Sequence, residues 1–211
     1  MFDNSDIIVD RLLKRGEKAD LVMSPGHTEM DRLVQAGALD GQEPRVLGTF
    51  ELVAIVPAAN KLSIKSPEDL KRCNTIASPM PDVNSIGASG KEALTKLGLW
   101  DELQPRMVLT KHAIESHTIV ASGKADAGIA YRNCPLETAP EKLSKSKVRV
   151  GFAFPADSYV RQPCLIARLK ASTSPAAGKF LDFISSPAGL KILSDHGLTG
   201  APKPAAAKTT K

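Results

Sequence analysis

The chain has 211 residues, 42% of them hydrophobic and 24% charged, with a formal net charge of +5. That length is enough to bury one large core or two smaller ones, and no apolar run approaches the ~20 residues that a membrane-spanning helix needs. With six Phe, two Tyr and one Trp, the chain is poorly equipped to stack nucleobases; a small polar or ionic ligand suits this composition better. The positive charge is also local. Lys203, Lys208 and Lys211 fall in the acid-free tail 201–211, and removing those three charges from +5 leaves +2 for the rest. That is no electrostatic footprint for a nucleic acid. The tail itself, rich in Pro, Ala and Lys and without apolar period, reads as disordered.

In chain order, the sequence MFDNSDIIVD lacks the basic start, apolar stretch and cleavage site of a signal peptide. Residues 6–15 read as an amphipathic helix with Ile8, Val9, Leu12 and Leu13 on one side, capped by Asn4, Ser5 or Asp6 and stopped by Gly16. Residues 20–24 are a short strand, 28–36 a helix, and 46–56 one long β-branched strand ended by Pro57. Ser66-Pro67-Glu68-Asp69 has the order of cap, proline and acids that starts a helix. Strands are expected at 75–78, 107–110, 127–131, 148–154 and 164–169. Helices are expected at 90–97, 113–122, 175–184 and 187–193, and residues 79–87 as a loop. Strands alternating with ten-residue helices indicate an α/β fold with mostly parallel sheets. The strands at 46–56 and 148–154 bracket a βαβαβ stretch, as a domain inserted in another would.

Few motifs carry chemistry. Phosphate-loop, dinucleotide, nucleophile-elbow and zinc-helix signatures are absent from the sequence, and no nucleophile–base pair marks an enzyme. Gly87-Ala88-Ser89-Gly90-Lys91 is open to two readings, a plain helix start or an anion-facing turn whose glycines free the backbone and whose serine donates. Tyr131 stands at the carboxyl end of a strand, where α/β folds bind ligands; a ring at the core edge is the alternative. His112, Glu115 and His117, with His27 and Cys134, offer a metal site only through the fold, because His117 faces away from His112 on a helix. Cys73, Cys134 and Cys164 are odd in number and widely spaced, giving no disulfide framework, although a Cys73–Cys164 bridge stays open. Phe180 and Phe183, at helical spacing, read as core, and residues 142–149 as a solvated basic stretch.

An ordered set of segments resembles the periplasmic molybdate-binding protein family of type II ABC-transporter solute-binding proteins. Ala19-Asp20-Leu21-Val22-Met23-Ser24 and Met30-Asp31 match one family segment, and Leu47-Gly48 with Leu52-Val53-Ala54-Ile55-Val56-Pro57 match its crossing strand. Lys91-Glu92-Ala93-Leu94, Leu97-Gly98-Leu99-Trp100-Asp101 and residues 122–131 follow. Phe152 to Pro155, Ser186-Pro187-Ala188-Gly189 and His196-Gly197-Leu198 complete the set, which covers about residues 5–200.

The resemblance implies a two-lobed clamp that delivers a small oxyanion, molybdate or tungstate first, to the permease of an ABC importer. It implies a periplasmic or cell-surface monomer without cofactor, catalysis or nucleic-acid partner. A cytosolic ligand-sensing domain of a regulator, or a transition-metal-binding member of the same fold, is the alternative. The implied lobes are 1–56 with 155–200, and an inserted 57–154. By resemblance the first lobe is N-terminally truncated, lacking the family's first strand and helix, so that strand edges are exposed. The implied donors are the Ser5 hydroxyl, the backbone N–H near Ile86, the backbone N–H of Ala113 and the Tyr131 hydroxyl, a set suited to an anion because helix starts and hydroxyls point positive charge at it. Asp6 and Asp82 depart from the family pattern and would put carboxylates near a dianion, which Coulomb repulsion disfavours.

Overall fold

The computed structural model of the protein describes residues 3–133 and 146–200. The chain divides into two units: the first runs to Thr49 and resumes at Pro163, and the second spans Phe50–Gln162.

In the first unit, α1 (Ser5–Lys14), β1 (Leu21–Pro25), α2 (Thr28–Gln35) and β2 (Arg45–Phe50) are followed, after the second unit, by β8 (Pro163–Arg168), α6 (Pro175–Ile184), α7 (Pro187–Asp195) and β9 (Leu198–Thr199). Its sheet has the order β1-β8-β2-β9, with β8 antiparallel to both β1 and β2. The apolar spacing of α1 and α2 brings Val9, Met30 and Leu33 onto Val22 of β1 and Leu165 and Ala167 of β8, a buried cluster. Asp10 ties the two helices by pairing with Lys14 and Arg32, which together hold its carboxyl below the usual carboxylate range. On α6, Ala177, Leu181 and Ile184 form the buried stripe, at the 4–3 spacing that one helix face allows. Phe180 and Phe183, expected as core, instead fall beside that stripe and are each 48% exposed. Their spacing fixed a shared side of the helix but not which side the sheet covers.

The second unit holds β3 (Leu52–Pro57), β4 (Ile76–Pro79), α3 (Ser85–Lys96), α4 (Trp100–Leu103), β5 (Met107–Thr110), α5 (Ala113–Ala121), β6 (Ala127–Tyr131) and β7 (Val148–Ala153). Its sheet runs β5-β4-β6-β3-β7. β4 pairs in parallel with β5 and β6, whereas β3 is antiparallel to β6 and β7. Leu52 to Val56 are wholly buried, as expected of a strand covered on both faces. The Tyr159 hydroxyl accepts the Leu52 N–H at 2.8 Å, fastening the segment that follows β7 to this interior strand.

The α/β class stands, with corrections of detail. The sheet of the second unit is mixed and β8 is antiparallel to both its neighbours in the first, so the sheets are not mostly parallel: a crossover helix fixes parallel direction only for the strands it joins, and β3 and β7 are not joined that way. The apolar run 46–56 is two strands in different sheets, interrupted at Glu51, whose carbonyl accepts the Arg132 N–H and whose carboxylate pairs with the Arg132 guanidinium. The division between units falls at 49/50 and 162/163. Ser66-Pro67 opens only a 3₁₀ turn, Glu68–Arg72, with Asp69 accepting the Lys65 and Ser66 N–H groups. The helix expected from Gly90 begins at Ser85. Residues 134–145, with Cys134 and Lys142, and the tail 201–211 lie outside the described residues.

Cys73 and Cys164 are free, which removes the bridge left open by the sequence. Burial, then the Asp126 carboxylate, pushes the Cys73 thiol up to about 11; burial alone pushes Cys164 to about 12. Both are therefore neutral thiols in the folded chain at pH 8, and inert, since the thiolate is the nucleophile. With Cys134→Ser in place, Ellman's reagent at pH 8 is expected to find no fast-reacting thiol in the native protein and two after denaturation. A raised thiol value also means that stability present below pH 9 declines as pH rises toward 11, because the unfolded chain releases protons first. Rapid native labelling, or a melting temperature flat across that range, would contradict this assignment.

Candidate functional site

Three parallel strands of the second unit end along one edge of its sheet, at Pro79, Thr110 and Tyr131. From β4 the chain passes through α3 to β5 on one side, then through α5 to β6 on the other. The strand order thus reverses between β4 and β6, and a crevice beyond the carboxyl ends of strands at such a reversal is the ligand position of open α/β sheets. Both α3 and α5 start from this edge. Each offers N–H groups that its own helix cannot pair, and each directs the positive end of its dipole there. The Met80 N–H donates to the Thr110 carbonyl at 2.8 Å, linking the ends of β4 and β5.

The start of α3 is set by Asn84, in extended conformation, whose side-chain oxygen accepts the Ile86 N–H at 2.9 Å. Two glycines let the helix sit low on the sheet. A Cβ on Gly87 would stand 2.3 Å from the Pro79 carbonyl oxygen, and one on Gly90 would stand 3.0 Å from Ile129 Cγ2. This seating brings Ser89 to Tyr131: their hydroxyl oxygens are 3.4 Å apart, and each residue is only 2% exposed. The Tyr131 ring stacks on Phe50, with centroids 5.0 Å apart.

At the start of α5, His112 is extended and the Glu115 carboxylate reaches back to accept the Lys111 and His112 N–H groups at 3.1 and 3.2 Å. Thr110 shares a 2.7 Å hydroxyl contact with Ser116 beneath the turn. Ala113 is the first residue of the helix, so its N–H belongs to those that helix geometry leaves unpaired.

Of the residues singled out from sequence, Ile86, Ala113 and Tyr131 share this edge of the second unit, whereas Ser5 opens α1 of the first unit and is half-buried. The Ile86 N–H already has Asn84 as its partner. Asp82 and Asp6 are exposed. Gly87 to Lys91 lie inside α3 rather than at its start, and Ser89, weighed as a possible donor, stands beside Tyr131. Asn84 and Phe50 were missed; an Asn three residues before a glycine-rich helical run was the available signal for the first. Among the described residues no three His, Cys, Asp or Glu side chains gather as a metal site, and Glu115 is engaged by backbone. A separate groove of about 530 Å³ runs along the outer side of α3 past Asp82, Lys91 and Lys96; neither Ser89 nor Tyr131 lines it.

Comparison with known proteins adds the following. Residues 2–199 match the family described as bacterial extracellular solute-binding protein. A Bacillus subtilis (strain 168) protein named as an ABC transporter substrate-binding lipoprotein, YvgL, is 26% identical over 193 residues, covering 90% of this chain and 71% of the relative. The molybdate-binding protein ModA of Escherichia coli (strain K12) is 26% identical over 195 residues, covering 90% of this chain and 73% of ModA. The periplasmic molybdate-binding protein of Azotobacter vinelandii shares the fold with a TM-score of 0.78 at 20% identity, covering 95% of this chain and 85% of that one.

The seating of α3 can be measured directly. Ala in a helix is about 1 kcal/mol better than Gly, but a Cβ 2.3 Å from a backbone oxygen forces a shift that costs ~1–3 kcal/mol. Gly87→Ala is therefore expected to be destabilised in a urea melt. It should also be the worse of two variants, since the Gly90→Ala methyl meets a side chain that can give way. A Gly87→Ala protein as stable as the parent would remove close seating as the reason for this glycine.

Proposed function

Since this chain belongs to the bacterial extracellular solute-binding proteins, we propose that it captures a small oxyanion, molybdate or tungstate first, and hands it to the permease of an ABC importer. Its place of work in this reading is the periplasm or cell surface, and it acts by binding rather than by turnover. The observation that carries the proposal is the edge of the second unit, where two helix starts and a buried tyrosine hydroxyl stand together. Neutral donors of this kind suit a dianion. Hydroxyls and amides stabilise negative charge by charge-assisted hydrogen bonds, and helix starts add a fixed partial positive charge.

We assign the Tyr131 hydroxyl and the Ala113 N–H as ligand donors, with the N–H groups at the start of α3 around Ile86. Because Asn84 holds the Ile86 N–H itself, Ile86 contributes by sharing that donor or through the amides beside it. The Ser5 hydroxyl is the donor assigned to the first unit. The relatives named for molybdate support the choice of anion. The mixed sheet reversing between β4 and β6 supports the choice of edge.

Calorimetric titration with molybdate, tungstate, sulfate and phosphate is the test, with zinc and nickel as the arms for the metal-binding alternative. Saturable heat with at least one oxyanion, together with a raised melting temperature, is expected. Heat with a metal ion and none with any oxyanion would overturn the reading. Within it, Tyr131→Phe is expected to weaken oxyanion binding by ~1–3 kcal/mol, the worth of a hydrogen bond to a charged group. An unchanged affinity would take Tyr131 out of the site.

A further inference from the structure

We propose that Ser89 is itself a ligand donor, forming with Tyr131 a pair of hydroxyls that converge on one oxygen of the bound oxyanion. This rests on the oxyanion reading above and extends it to a residue outside the assigned donor set.

Other buried serines of the second unit satisfy themselves at short range. Ser78 donates to the Pro79 carbonyl at 3.1 Å, Ser116 shares a proton with Thr110 at 2.7 Å, and Ser158 donates to the Pro155 carbonyl at 2.7 Å. Ser89 does not. Among the described residues its hydroxyl meets only the Tyr131 hydroxyl, at 3.4 Å, well beyond the ~2.7–2.8 Å usual for O–H···O. A serine this deeply buried is normally hydrogen-bonded, so the long contact leaves donor capacity that the interior does not use.

Direction supplies the second part. Side chains of an α-helix lean toward its N-terminus, and Ser89 is the fifth residue of α3. Its hydroxyl is therefore carried back toward the helix start, on the buried side that faces β6. Gly90 permits that approach to Ile129, and Tyr131 lies two residues further along β6, at its carboxyl end. The Ser89 hydroxyl thus carries a proton that its long contact uses only weakly, beside the hydroxyl already assigned to the ligand. An oxyanion oxygen, which only accepts, takes that proton where neutral water or a carbonyl gains less.

The test is a double-mutant cycle read by molybdate and tungstate calorimetry on the parent chain, Ser89→Ala, Tyr131→Phe and the double variant. Ser89→Ala is expected to lower affinity about ten-fold, as for a lost hydrogen bond to a charge, and to do so in the Tyr131→Phe background as well. Its ligand-free melting temperature should equal or exceed the parent's, since alanine favours the helix and removes a poorly paired buried hydroxyl. Ser89→Cys fills the same space but donates weakly, so it should bind like Ser89→Ala. An unchanged affinity in Ser89→Ala, a loss that vanishes once Tyr131 is Phe, or parental binding by Ser89→Cys would each overturn the proposal while the oxyanion reading survives. A parent chain that binds neither anion, nor sulfate or phosphate, would bring down that reading and this inference with it.

Discussion

The close seating of α3 on its sheet is the constraint on which the rest of the candidate site depends. Without a Cβ at Gly87 the helix start lies against the Pro79 carbonyl, and without one at Gly90 its second turn lies against Ile129. Raising the helix by the width of a methyl group would separate Ser89 from Tyr131 and move the α3 amides off the strand ends. Two glycines inside a helix are unfavourable by about 1 kcal/mol each relative to alanine. Here that local cost is offset by what the approach builds, a helix start, a serine and a tyrosine placed by backbone geometry instead of by flexible side chains. Such sites are held more accurately than sites on loops.

The interior strand β3 makes this arrangement possible. β3 is buried throughout and pairs with β6 on one side and β7 on the other. It fixes β6, and through the register Leu52↔Tyr131 it fixes where the tyrosine emerges. The Tyr159 hydroxyl on the Leu52 N–H and the Phe50 ring on Tyr131 hold the same point. Two of the chain's few aromatic side chains are thus engaged in positioning a third. Scarcity of rings in the composition argues against a stacking platform; Phe50 and Tyr159 serve instead to place a hydroxyl.

Much of this was legible in the sequence, for definite reasons. β6 was found with its bounds, Ala127–Tyr131, because an unbroken apolar run with a glycine stop before it has no helical alternative at that length. α5 and α6 were found from their caps and stops. The antiparallel placement of β3 was not, because strand direction is settled by pairing partners far away in the chain. The break at Glu51 was also hidden, since an acid amid β-branched residues reads as a solvent-facing position until its partner Arg132, distant in sequence, is known. In the site, Tyr131 was visible as the polar end of a buried strand. Ser89 was seen but not chosen. The role proposed for it rests on a 3.4 Å approach between elements, and nothing in local spacing reports such a distance.

The two helix starts at this edge are not equivalent, and their caps show why. At α5 the Glu115 carboxylate already accepts the Lys111 and His112 amides, placing a negative charge at the positive end of the dipole. That interaction stabilises the helix in the absence of any ligand, and by Coulomb repulsion it lessens what a second anion gains there. At α3 the cap is Asn84, which satisfies the Ile86 N–H through a neutral oxygen and so adds no charge of its own at the helix start. The first turn of α3 contains no acid, whereas that of α5 contains Glu115. In the proposed oxyanion site this difference favours α3, which is also the side on which Ser89 and Tyr131 stand. Cap chemistry, glycine seating and the hydroxyl pair each follow from different residues, and all three direct negative charge to the same end of the same helix.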